Sequence, residues 1–206
     1  MYRAANNSTK NAYSGQTWIS GWIFGLLGFV LLISGVSQSA RAQSTPDEYQ
    51  VKAAFLFHFA QFLGWPADAL NAADPSLSLC IFDDEPRRQE LQSTIEGKPI
   101  GARIFHVRLM SQPQEIQGCN ILFLSHDEAR RQAPILKSLR GMPVLTVGET
   151  SNFLSDGGMI RFHTEDGKIR FDINLAAAES SHLQISSRLL LLATSVTRGG
   201  VADRGR

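Results

Sequence analysis

Three short runs in this chain are apolar at almost every position: Leu77–Phe82, Cys119–Leu124 and Val144–Val147. A strand with one wet face alternates apolar and polar residues. A run apolar on both faces must be covered on both, and the common solution is a parallel sheet with helices on each side. The segments between these runs supply the covers. Pro86 to Ile95 reads as a helix with acids at its start and Leu91 and Ile95 on one side, and Ser125-His126-Asp127 opens a second helix running to Arg140. Arg103 to Leu109 alternates, with Ile104, His106 and Arg108 set against Phe105, Val107 and Leu109, the pattern of a half-exposed strand. Gly97-Lys98-Pro99 reads as a turn. The order β-α-β-β-α-β points to an α/β domain with a mixed, largely parallel sheet.

Helical and hairpin signals flank this block. Thr45-Pro46-Asp47-Glu48 has a capping Thr45, a proline suited to the first turn, and Glu48 three residues on to complete a capping box. Val51, Ala54, Phe55, His58, Phe59 and Phe62 then form one apolar stripe, and His58 within it reads as a core histidine. Leu56, Phe57 and Leu63 lie off the stripe, so the helix is either sandwiched by the domain or turned partly toward a partner. Beyond the sheet, Asp166-Gly167 sits between two alternating runs, a strong hairpin signal. A two-residue turn there pairs Glu165 with Lys168, His163 with Arg170 and Arg161 with Asp172, while Phe162 faces Phe171 and Ile160 faces Ile173. One hairpin face is apolar and the other ionic, and Arg170, Asp172 and Asn174 are expected to point outward. An Ala-rich helical turn follows Asn174, then a final helix Arg188–Val196, with Arg198 to Arg206 read as frayed.

The first 42 residues read as a signal peptide rather than as part of the fold. Trp18 to Val36 is apolar, Arg3 and Lys10 precede it, and Ala40-Arg41-Ala42 places small residues at the cleavage-defining positions. The alternative is an uncleaved anchor, since about 19 apolar residues can just span a bilayer. Cleavage after Ala42 leaves a single domain, 43–206, and places it in the periplasm. Of the 20 basic and 19 acidic residues, Arg3, Lys10 and Arg41 are the only charges in 1–42, so 17 basic and 19 acidic side chains remain. That balance argues against nucleic-acid binding. A hydrophobic content of 43% argues against a disordered chain. In an oxidising periplasm Cys80 and Cys119 form a disulfide; the other reading is two buried thiols.

Catalytic chemistry does not stand out. Two cysteines and five scattered histidines give no metal-ligand spacing, and no cofactor motif is present. Ser125-His126-Asp127 is not a hydrolase triad, because adjacent residues cannot orient one another as a triad requires. Gly148-Glu149 and Gly157-Gly158 lack the strand-to-helix setting of a phosphate loop. The ionic hairpin face, with Arg161, His163, Arg170 and Asp172, is the best local candidate for holding a ligand or a partner.

Taken together, the stretch from Glu48 through Lys52-Ala53-Ala54-Phe55-Leu56 to Trp65-Pro66, the cysteines at 80 and 119, Gly157-Gly158-Met159-Ile160-Arg161-Phe162, Lys168 to Asn174, and Ile185-Ser186-Ser187-Arg188-Leu189-Leu190 resemble the YfiR family over roughly residues 47–196. The resemblance implies a Rossmann-like three-layer domain with a C-terminal hairpin and helix, often dimeric, without catalytic activity or a cofactor. It also implies a Cys80–Cys119 bridge; a second disulfide of the family's best-known member has no cysteines here. Its implied role is a periplasmic negative regulator in cyclic di-GMP signalling and biofilm formation. The implied partner is the sensor region of an inner-membrane diguanylate cyclase or another sensor protein, with an outer-membrane lipoprotein as a possible antagonist. The alternative is a periplasmic small-ligand-binding module without a cyclase partner.

Overall fold

The computed structural model describes residues 47–70, 74–82, 87–198 and 201–203. The expected signal peptide, residues 1–42, therefore lies outside the described residues, as do Thr45, Pro46 and Asp83-Asp84-Glu85. In chain order the first half holds α1 (Glu48–Gln61), β1 (Leu63–Gly64), β2 (Ser76–Phe82), α2 (Arg87–Ile95), β3 (Pro99–Ile100), β4 (Arg103–Met110) and β5 (Ile121–Leu124). The second half holds α3 (Ala129–Ser138), β6 (Leu145–Gly148), β7 (Ile160–Glu165), β8 (Lys168–Asn174), α4 (Leu175–Ser180), β9 (Gln184–Ile185), α5 (Ser187–Leu190), β10 (Ser195–Arg198) and β11 (Val201–Asp203).

The main sheet has nine strands in the order β11-β10-β8-β7-β6-β5-β2-β4-β3. Strands β4, β2, β5, β6 and β7 run parallel, β8 returns antiparallel to β7, and β10 lies parallel to β8. The all-apolar strands sit at the centre, buried on both faces as their composition requires. Alternation along β2 divides the core in two. Leu77, Leu79 and Ile81 pack with α1 and α2, while Cys80 and Phe82 pack with Leu122, Leu124 and the Ile135, Leu136 side of α3. The result is helices, sheet and helix in three layers. Cys80 and Cys119 are joined in the second cluster, with Cα atoms 5.8 Å apart and sequence separation 39. Cys80 lies within β2, and Cys119 precedes β5 rather than starting it.

Several elements depart from the sequence reading. Helix α1 is capped by Asp47, whose side chain accepts the Tyr49 N–H at 3.0 Å. Its buried face is Lys52, Ala53, Leu56, Phe59 and Ala60, one position round from the expected stripe. Small Ala53 and Ala60 let the helix approach the sheet, and Phe59 enters the core with its ring 5.0 Å from Phe171. Phe55 is left half-buried, its ring 5.6 Å from Phe171. His58 is exposed, its Nδ1 3.0 Å from Gln61 Oε1, so it is no core histidine.

Leu109 is exposed despite its apolar place in β4, and Met110 is buried instead. Lys98 does lie in a turn, but Pro99 and Ile100 go on to pair with β4. The final helix is a single turn, α5. Val196 and Thr197, β-branched residues suited to a pleated surface, instead join β10 and cover the open edge of β8, and Val201–Asp203 adds a further strand where fraying was expected.

Candidate functional site

The hairpin forms with the expected register: Glu165 pairs with Lys168, His163 with Arg170, Phe162 with Phe171, Arg161 with Asp172 and Ile160 with Ile173. Its ionic face is not an open surface. Asp172 is only 4% exposed, because β10 lies alongside it and the segment after β6 reaches over the face. Asp172 therefore does not point into solvent as alternation suggested. Its carboxylate receives Arg161 Nη2 at 2.5 Å on Oδ2 and the Ser195 hydroxyl at 2.6 Å on Oδ1. The His163 ring stands with Nδ1 3.3 Å from Oδ2. Arg161 also donates through Nη1 to the Ser151 carbonyl at 2.8 Å. Of the four residues, Arg170 alone stands well out, its guanidinium half-exposed and 4.0 Å from Glu165. Asp172 thus anchors the group, while Arg170 and the outer edges of Arg161 and His163 form what a partner can touch.

A second network adjoins the first and was missed in the sequence. Glu149, just after β6, takes Lys52 Nζ on Oε1 at 2.5 Å and the His126 N–H on Oε2 at 3.1 Å, with the Tyr49 hydroxyl 3.5 Å away. Lys52 also pairs with Glu48 one turn back. Burial pulls the Lys52 ammonium toward a lower pKa. The hydrogen bonds it donates to Glu149 and Glu48 more than reverse this, so its pKa stands above the ordinary value. Glu149 supplies the acceptor that Ser125 was expected to provide, for the Ser125 side chain makes no capping bond at the start of the helical segment. The available signals were Glu48 and Lys52 four apart on one helix and an acid at a strand's C-terminal end, each weak alone. Between the two networks lies a small cavity of about 210 Å³, lined by Glu48, Lys52, His126, Glu149, His163 and Thr164.

The whole chain between Tyr49 and Thr194 matches the family model described as YfiR/HmsC-like, over residues 49–194. The chain belongs to the YfiR/HmsC-like family. The matched stretch of this YfiR/HmsC-like chain takes in α1 with Lys52, the Cys80–Cys119 bridge, Glu149 and the entire hairpin. In its Gly157-Gly158 pair, which suggested no phosphate loop, Gly158 has a packing role. A Cβ on Gly158 would lie 2.2 Å from the Phe153 ring, as would one on Gly148, so both glycines make room for that fully buried ring. Among the described residues of this family member, no three His, Cys, Asp or Glu side chains gather as a metal-binding group. No helix among them is long and apolar enough to cross a membrane.

Proposed function

We propose that this chain is a periplasmic regulatory protein that binds the sensor region of an inner-membrane diguanylate cyclase and holds it inactive, lowering cyclic di-GMP. The observation that carries this reading is membership of the YfiR/HmsC-like family across nearly all of the folded chain. The proposed leader, cleaved after Ala42, delivers it to the compartment where such a sensor is exposed. The contact face is the rim of the hairpin: Arg170, with the accessible edges of Arg161 and His163. A buried Asp172 supports this division of labour, since it keeps Arg161 and His163 in place while Arg170, half-exposed beside Glu165, is accessible to an acidic partner surface. A second copy of the chain and an outer-membrane lipoprotein are further proposed partners.

The test is a pull-down from solubilised inner membranes with the protein as bait, in wild-type and Arg170→Glu forms. Recovery of a cyclase by the wild type, and its loss with Arg170→Glu, is the expected result. Recovery of no membrane signalling protein would count against the reading. Equal recovery by both forms would move the contact away from the hairpin rim.

A further inference from the structure

A larger cavity, of about 530 Å³, opens away from the hairpin rim, where the end of α3 meets α4 and β10. Its apolar wall comes from Leu136, Leu139, Met159 and Ala177. Its polar side holds one charged group, the guanidinium of Arg140, and no lining residue is acidic. Arg140 is exposed, and among the described residues it forms no ion pair and no side-chain hydrogen bond. A Cβ on Gly157, which has φ +101°, would sit 3.8 Å from Arg140 Nε and Nη2, so the guanidinium stands at the cavity wall beside that turn. Asp156, the residue before Gly157, is engaged elsewhere, receiving Gln132 Nε2 and Asn152 Nδ2 on Oδ2, each at 2.7 Å.

Hydroxyl side chains stand around the same cavity as Arg140. Ser181 lines the cavity and is only 2% exposed. Thr146 accepts the Met159 N–H at 3.1 Å. Thr197, on β10, also lines the cavity.

A lone guanidinium, lining hydroxyls, no competing carboxylate and an apolar wall fit one class of molecule. We propose that this cavity binds a small organic carboxylate with an apolar tail, its carboxylate on Arg140 and its tail against Leu136, Leu139 and Met159. The planar guanidinium fork matches a carboxylate in a bidentate pair. A dianion such as phosphate would call for more cations than this cavity has. The volume is within the range of small-molecule sites. The site is separate from the hairpin rim and does not depend on the proposed cyclase partner.

The experiment titrates the purified, nitrogen-15-labelled protein with octanoate, octanamide and inorganic phosphate and follows backbone amide shifts. Octanoate is expected to shift Gly141, Gly157 and Thr197. Octanamide, which keeps the tail and lacks the charge, is expected to bind at least about tenfold more weakly, and so is phosphate. Arg140→Gln is expected to lose about tenfold in octanoate affinity with an unchanged melt, because Arg140 is exposed and unpaired. Should that variant melt low, Ala177→Leu, which fills the cavity and keeps Arg140, must also lose binding. The proposal is overturned if octanoate does not bind, if octanamide or phosphate binds as tightly, if the variants bind as well as wild type, or if the shifts gather around Arg161 and His163.

Discussion

Buried carboxylates persist when their lone pairs are taken by donors, and Asp172 has Arg161 and Ser195 as donors with the His163 ring beside it. Replacing it by lysine sets a second cation against Arg161 in a covered site. Asp172→Lys is therefore expected to lower unfolding free energy by about 3 kcal/mol, and Asp172→Asn, which keeps an acceptor, by about 1 kcal/mol, both read from urea midpoints. Equal midpoints for Asp172→Lys and wild type would contradict the burial of this group. Alternation along the strand correctly separated Asp172 from Phe171 and Ile173. It could not reveal that β10 would cover the ionic side, because a period of two reports which face a residue takes and nothing about what lies over that face.

Lys52 makes a second prediction at the same scale. Its pKa is raised on folding, so the stability it contributes is fully present below the unfolded value of 10.5 and is lost as pH rises through the higher folded value. Lys52→Met is expected to remove that alkaline dependence, so the gap in stability between wild type and variant should narrow above pH 10.5. A gap that stays constant to the alkaline limit would refute the raised pKa.

Elements in this fold are set by what packs between them as much as by propensity. Phe153 fills a slot that exists only because positions 148 and 158 lack side chains beyond Cα. Gly158→Ala is expected to cost about 1 to 3 kcal/mol by overpacking, and adding Phe153→Leu should recover part of the loss. A double variant no more stable than Gly158→Ala alone would show that the ring is not the obstacle. The Cys80–Cys119 bridge ties β2 to the approach of β5. Cys80→Ser is expected to lower stability by about 2 to 5 kcal/mol, measured by thermal melting without reductant. The central strands and the hairpin were legible in the sequence because apolar runs and an Asp-Gly turn are local signals. The end of the chain was misread because Leu189 to Leu192 looks helical, while β10 forms only to satisfy the open edge of β8, a demand made by the tertiary fold.

For the molecule as a whole, membership of the YfiR/HmsC-like family is the ground for the proposal that the protein acts by binding. Two surfaces divide the work in this proposal. The Arg170 rim is proposed to meet the membrane partner, and the Arg140 cavity is proposed to take a small carboxylate. The most direct measurement is the cellular cyclic di-GMP level after deletion of the chain, with the wild-type protein or Arg170→Glu resupplied at equal abundance. The account predicts a rise on deletion, a return to the original level with wild type, and a level that stays high with Arg170→Glu. A cyclic di-GMP level unchanged by deletion would contradict it.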